Sequence, residues 1–346
     1  MKLKHILISR TDSIGDVMLT LPLAGLLRKR FPDARLSFLG MPYTKPVIES
    51  CSHIDTFIDW KELKELPEEQ SIARLKALNV DLILHVFPRK EIARLARKAG
   101  IKYRLGSTGR IYHWLNCNIL VPLSRRNSQL HESILNIKLA RKLIGGEGIS
   151  LEQIPSLYGF SPRIPVDATF GGLLDPNEIN IILHPRSKGS AREWGIDNFA
   201  ALAHRLTNQS YKVFITGTRA EGDMLRKEGF FEKAGDVKDV TGMFDLNQLI
   251  QFIQSTDALI AGSTGPLHIA SALDKIAIGL YPPIKPMDPG RWAPIGRKSG
   301  YLVANKKCSQ CRKLNKCECM QLITPQQVEQ KLNSYVKIYM IKDKNK

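Results

Sequence analysis

The sequence predicts an α/β protein built from two successive doubly wound halves, and three observations carry that prediction. A strand at 4–9 (KHILIS) runs into a helical pattern and then a second strand at 35–39 (RLSFL), which is a βαβ unit. The same alternation restarts at 179–183 (INIIL). Between the two, residues 155–178 lose their periodicity and collect Pro155, Pro162, Pro165, Gly171, Gly172 and Pro176, the composition of a boundary.

The elements follow in order. Strand 4–9 is an Ile/Leu run bounded by charge, as a strand buried on both faces requires. After Thr11–Asp16, Val17, Leu21, Ala24 and Leu27 share one helical stripe, which Phe31-Pro32 ends. Strand 35–39 then lies parallel to the first. Further strands are expected at 81–87 (DLILHVF) and 101–105, with basic helical stretches at 68–78, 90–99 and 131–144. In the second half, helices are expected at 197–207, 219–228, 245–255 and 266–273, interleaved with strands at 211–216, 257–261 and 276–280. The expected division is an N-terminal domain 1–160, a linker 161–178 and a C-terminal domain 179–325. A last helix within 326–346 is expected to pack back on the N-terminal domain.

Composition narrows the function. The 346 residues are enough for two domains, and 43% hydrophobic with 24% charged residues excludes disordered, collagen-like and mucin-like chains. Lys+Arg minus Asp+Glu is 51 − 33 = +18, which points to anionic partners such as nucleic acid, an anionic membrane face or phosphorylated substrates. No apolar run approaches the roughly 18 residues of a membrane span. Ile6-Leu7-Ile8 is too short for a signal-peptide core, so the expected location is the cytoplasm. The six cysteines are then expected to be reduced or metal-bound. Cys308-x2-Cys311-x5-Cys317-x-Cys319 offers four thiols to a tetrahedral zinc, although its last spacing is tighter than usual. Cys51 and Cys117 read as core or loop residues.

Two-domain α/β chains place ligands at the carboxyl ends of their strands, usually in the cleft between domains. The loop after the first strand holds Gly15 and Asp16 but neither a dinucleotide nor a Walker A fingerprint. Asp16 could take a proton from an incoming hydroxyl, or simply complement the helix dipole. After strand 179–183, Arg186, Ser187, Lys188 and Arg192 crowd a strand-to-helix loop, a composition suited to a diphosphate or to a solvated basic loop. Glu221, following the next strand, could accept both hydroxyls of a ribose or serve as a first-turn helix acid. Ser263, Thr264 and Gly265 open a helix whose free N–H groups suit an anion, and His268 lies one turn in, as ligand or structural donor. Three such loops on one sheet point to a nucleotide diphosphate. With no D-x-D in the chain, Arg186, Lys188 and Arg192 rather than a clamped metal would neutralise it.

At these residues the chain resembles the heptosyltransferases of lipopolysaccharide synthesis, glycosyltransferase family nine. The matching segments are ILISRTDSIGDVMLTLPLAGLLRKRFPDARLSFLG, LHPRSKGSAREWGIDNFAALAHRL, AGSTGPLHIASAL, YPPIKPMDPGRWAPIG and CSQCRKLNKCECMQLITPQQV, together spanning about Ile6 to Val328. The resemblance implies the GT-B architecture, two Rossmann-like domains facing across a cleft. It also implies inverting, metal-independent transfer of heptose from an ADP-activated donor to the lipopolysaccharide inner core, with no cofactor. On the same grounds Asp16 would be the catalytic base, Arg192 a phosphate ligand, Glu221 the ribose acid, and Thr264-Gly265 the phosphate-binding turn. The family often carries Asp where this chain has Ser263, a departure that bears on the donor sugar. The charge would then serve an anionic acceptor and peripheral contact with the inner membrane, with Lys102, Arg104 and Arg110 as acceptor-side cations beside Lys98, Arg125 and Arg126. A nucleotide-sugar epimerase or another GT-B enzyme is the alternative. A nucleic-acid-binding protein is disfavoured, because aromatics are only 7% and no binding motif appears.

Overall fold

A computed structural model describes the chain apart from residues 1, 127, 146–147, 164–169, 171, 188, 190, 210, 306–317 and 341–346. The chain divides into two units, residues 1–163 and 164–346, a division that falls inside the expected linker.

Unit 1 holds β1 (His5–Ser9), β2 (Arg35–Gly40), β3 (Thr56–Asp59), β4 (Leu82–His85), β5 (Tyr103–Ser107) and β6 (Ile119–Val121). They form one parallel sheet in the order β3-β2-β1-β4-β5-β6, with Ile6 paired to Leu36 on one side and Leu82 on the other. Unit 2 repeats the plan. Its strands β7 (Ile179–His184), β8 (Tyr211–Ile215), β9 (Lys238–Asp239), β10 (Ala258–Gly262), β11 (Ile276–Tyr281) and β12 (Ser299–Val303) run in the order β12-β11-β10-β7-β8-β9. Both sheets are doubly wound α/β sheets. The central strands β1 and β10 are buried along their whole length and β7 over all but its first residue, which is why they read as continuous apolar runs rather than alternating ones. In this strand order the chain reverses direction of winding between β1 and β4 and between β7 and β10. A crevice opens at the carboxyl end of a sheet at such a point.

Several elements differ from expectation. The helix expected from residue 14 is two, Ile14–Met18 and Leu21–Arg30, because Pro22 opens the second while the Thr20 hydroxyl donates to Asp16 O at 2.8 Å. Val17, Leu21, Ala24 and Leu27 are nonetheless all buried. Gly25 lets that helix lie against the chain at 151–157, since a Cβ there would overlap the Leu157 carbonyl oxygen. The expected helix 131–144 breaks at Ala140 into Glu132–Leu139 and Arg141–Ile144. The terminal helix, Pro325–Tyr339, corrects the expectation that it packs back on the N-terminal domain. Val328, Leu332 and Val336, one stripe at helical spacing, are buried in the core of unit 2 with Ala200, Ala203 and Leu206. Arg205 pairs with Glu329, and Tyr211 donates to Asn333 at 2.8 Å, along the same contact. Among the described residues no helix is long and apolar enough to cross a membrane.

His85 ends β4 fully enclosed, its ring 5.5 Å from that of His113, and neither of its nitrogens has a hydrogen-bond partner among the described residues. Burial, with His113 and Arg104 adding to it, pushes its pKa down to about 3. The folded ring therefore stays neutral where the unfolded one, near 6.5, takes a proton. Its contribution is complete above pH 6.5 and is lost as pH falls from 6.5 toward 3, at about 1.4 kcal/mol per pH unit. Chemical denaturation at pH 7 and pH 5 should show His85→Phe losing about 2 kcal/mol less than the wild type on acidification. Equal losses would assign the acid sensitivity elsewhere.

Candidate active site

The carboxyl end of β1 carries a buried ionic network. Arg10 follows the strand directly, its N–H bonded to Leu39 O at 3.0 Å, and its side chain is 3% exposed. Its guanidinium pairs with Asp12 at 2.7 Å, with Asp16, and with Glu132 at 2.9 Å, and donates to Asn136 Oδ1 at 3.2 Å. Burial opposes the Arg10 charge, but the three carboxylates outweigh it and raise its pKa. Arg125 joins from the other side, on Glu132 and on Asn136 Oδ1 at 3.0 Å. Two guanidinium groups thus face three carboxylates. Loss of solvent, and then the neighbouring negative charges, push Asp12 up to about 6 against the pull of Arg10.

Asp16 sits in the first turn of Ile14–Met18, two-sided in its support. Arg10 holds Oδ1, and the Ser13 hydroxyl donates to Oδ2 at 2.5 Å. Its carboxylate keeps 19% exposure, as Asp12 keeps 18%, against 1% for Glu132, so within the network these two acids are the ones solvent can reach. The helix-dipole role and the chemical role are compatible here. Arg89 and Tyr43 close the loop by bonding Thr11 Oγ1 at 2.6 Å and Asp12 O at 2.8 Å.

Unit 2 brings three of its loops to the carboxyl ends of β7, β8 and β10. After β7, Arg186, read from the sequence as a diphosphate cation, is engaged by Glu193 at 3.0 Å and Glu228 at 2.5 Å. Ser187 is buried and serves the loop itself, donating to Ala191 O at 3.0 Å while its N–H meets Glu193. Lys188 lies outside the described residues. Arg192 is half-buried and stands beside the end of β10, where a Cβ on Gly262 would lie 3.5 Å from its carbonyl oxygen. After β8, Glu221 is buried, and its Oε2 accepts from Thr218 N at 2.7 Å and Thr218 Oγ1 at 2.8 Å. That is a capping box, so the helix-acid role is realised on one carboxylate oxygen.

After β10, Ser263 bonds the hydroxyl of Tyr281, whose pKa burial drives up strongly. Thr264 is the N-cap of Gly265–Ala272, yet its hydroxyl makes no cap bond and has no partner among the described residues. The first-turn N–H groups of Gly265 and Leu267 therefore lack the side-chain acceptor that a capping Thr usually supplies. Pro266, between them, has no N–H to satisfy. His268 is buried one turn further on.

The acceptor-side cations separate. Lys102 and Arg104 lie at the amino end of β5, opposite the ligand-binding end, and Arg104 is engaged by the carbonyl oxygens of Asn116, at 2.7 Å, and Ile101. Of the three, only Arg110 follows the carboxyl end of that strand. Cys308, Cys311 and Cys317 lie outside the described residues, while Cys319 is buried in unit 2. Among the described residues no group of three or more potential ligands could hold a metal ion.

Sequence reasoning missed Arg10, Glu132 and Asn136, and named Arg125 only as an acceptor-side cation; Arg10 holds Asp16 and the other three surround Arg10 or its partners. One signal was available: a charged residue immediately after a fully buried strand. Removing Arg10 leaves buried carboxylates uncompensated, which typically costs about 3–5 kcal/mol. Urea unfolding of Arg10→Met should show a loss of that order, with Arg10→Lys intermediate because it keeps the charge but not the fork. A change within error would mean that the network does not anchor the loop.

Comparison with known proteins follows this geometry. Residues 162–321 match the model of glycosyltransferase family 9 (heptosyltransferase). A candidate glycosyltransferase of Haemophilus influenzae is 30% identical, the match covering 85% of this chain and 86% of that one. Lipopolysaccharide heptosyltransferase 2 of Escherichia coli K12 is 21% identical over 95% and 97% of the two chains. The solved structure of E. coli ADP-heptose lipopolysaccharide heptosyltransferase II superposes with a TM-score of 0.74 at 20% identity, covering 96% and 98%. The fold is thus that of the GT-B heptosyltransferases, and the chain belongs to glycosyltransferase family 9, a glycosyltransferase of the heptosyltransferase family.

Proposed function

We propose that this enzyme transfers a heptose from an ADP-activated donor to the inner core of lipopolysaccharide, inverting the anomeric centre and using no metal. The observation that carries the reading is the uncapped start of Gly265–Ala272, whose first-turn N–H groups suit an anion, at the point where the unit 2 sheet reverses its winding. Donor and acceptor are taken by analogy with the E. coli relatives described above.

In this reading Asp16 accepts the proton of the acceptor hydroxyl. The oxygen attacks the anomeric carbon as the bond to the diphosphate breaks, through an oxocarbenium-like transition state. Arg10 and Ser13 hold the carboxylate in one orientation, so little reorganisation is needed when the proton moves. The departing ADP develops negative charge against Arg192, Lys188 and the N–H groups of Gly265 and Leu267. Oε1 of Glu221, the oxygen its cap does not use, is assigned to the donor ribose. The acceptor is anionic and lipid-anchored, which places the work at the cytoplasmic face of the inner membrane.

The test is ADP release from ADP-heptose with a core-truncated lipopolysaccharide acceptor, with and without chelator. Turnover should survive chelation; loss with EDTA and recovery with a divalent ion would overturn metal independence. Asp16→Asn should lower kcat by roughly 10²–10⁴ with donor KM little changed. Arg192→Ala should raise donor KM by about 10–100-fold, the loss of one charge-assisted contact. An undiminished rate in Asp16→Asn would remove it from the role of base.

A further inference from the structure

A helix in unit 1 presents an apolar face that is uncovered among the described residues. In Ile111–Asn116 the side chains of Ile111, Trp114 and Leu115 are 84%, 61% and 67% exposed. Their spacing of i, i+3 and i+4 puts them on one face. The helix is held firmly, with Trp114 Nε1 donating to Thr108 O at 3.0 Å, Arg97 to Leu115 O at 2.6 Å and Arg104 to Asn116 O at 2.7 Å. The face is thus displayed by a fixed element.

Its setting is basic. Between Glu91 and Glu132 the chain has no acid, while Lys and Arg occur eight times. Glu132 is buried and neutralised by Arg10 and Arg125. Glu68 engages Arg94 and Lys98, but Arg97, Lys102 and Arg110 have no acidic partner among the described residues. We infer that this helix docks the enzyme on an anionic lipid bilayer, its three apolar side chains entering the headgroup–acyl boundary while the surrounding cations meet lipid phosphates. A second copy of the chain is a poor occupant, because a two-fold contact would set like charges against each other. A nucleic acid offers no apolar sink for Ile111 and Leu115. Both components have known strength: apolar area entering the interface, and roughly 1 kcal/mol per cation near an anionic surface. The inference deepens the proposal of a lipid-anchored acceptor and rests on it for its purpose, though not for its test.

The purified protein is sedimented with vesicles of phosphatidylethanolamine and phosphatidylglycerol, and with neutral phosphatidylcholine vesicles. It should partition to the anionic vesicles and not the neutral ones. The double variant Trp114→Ser/Leu115→Ser, checked for unchanged circular dichroism and melting midpoint, should partition roughly tenfold less or weaker still. Tryptophan emission should shift to the blue on vesicle addition and lose most of that shift in Trp114→Phe, since Trp60 and Trp194 are buried already and Trp292 is half-buried. Equal binding by the double variant, a shift that persists undiminished in Trp114→Phe, or no binding at all would each overturn the inference. So would a dimer abolished by the double variant without vesicle binding. Turnover on a soluble delipidated acceptor should be the same in wild type and double variant. Vesicle binding without any ADP release would defeat the heptosyl-transfer reading and leave the docking surface standing.

Discussion

The placement of Asp16 depends on one buried cation. A guanidinium with 3% exposure is tolerable only if nearly all its donors find acceptors, and Arg10 finds Asp12, Asp16, Glu132 and Asn136. Because those partners come from the strand end, the loop, the first helix and the helix Glu132–Leu139, satisfying the charge also fixes their relative positions. Asn136 extends the same constraint, donating to Leu19 O at 2.9 Å and Thr20 Oγ1 at 3.2 Å where the helix after Asp16 breaks. Through Arg10, the Asp16 carboxylate is therefore tied to residues more than a hundred positions away.

Unit 2 meets the opposite electrostatic problem. In the function proposed above, its strand ends hold an anion that arrives and leaves, a task for donors that are not all satisfied internally. The loops divide accordingly. Arg186, Ser187 and Glu193 bond one another and stiffen the loop, while the start of Gly265–Ala272 keeps first-turn N–H groups without a side-chain cap. Pro at the second helical position and an N-cap hydroxyl that makes no cap bond both serve this, since neither competes for the first-turn N–H groups.

What was legible in the sequence followed from burial. Strands enclosed on both faces must be apolar throughout, so β1, β7, β10 and β11 stood out as Ile/Leu/Ala runs. The edge and near-edge strands did not: β3 is half-buried along its length, β6 has three residues and β9 two. Short half-solvated strands carry little periodicity to read. The terminal helix was legible as a helix, but its packing partner was not, because an apolar stripe at Val328, Leu332 and Val336 specifies burial without naming a surface. The candidate site divided the same way. Asp16, Arg192 and Thr264 were visible as residue types at strand ends, whereas the pairing of Arg10 with Glu132 is a long-range contact with no local spacing to betray it.

The same limit applies to the net charge, which is a sum over roles that the fold separates. Arg10 and Arg125 neutralise buried carboxylates, Arg186 braces a loop, and Arg104 clamps the end of a helix; none of these adds to the field an approaching molecule feels as its bare count suggests. Cations without an acidic partner among the described residues occur in both units, so position rather than number distinguishes them. Arg97, Lys102 and Arg110 lie in a stretch without acids, next to or on the helix that exposes Ile111, Trp114 and Leu115. An excess of +18 predicts an anionic partner without saying whether it is a polymer, a leaving group or a surface. Coincidence of unopposed charge with uncovered apolar area narrows that choice to a surface with both properties. An anionic bilayer is one, whereas a polyanion has only the charge.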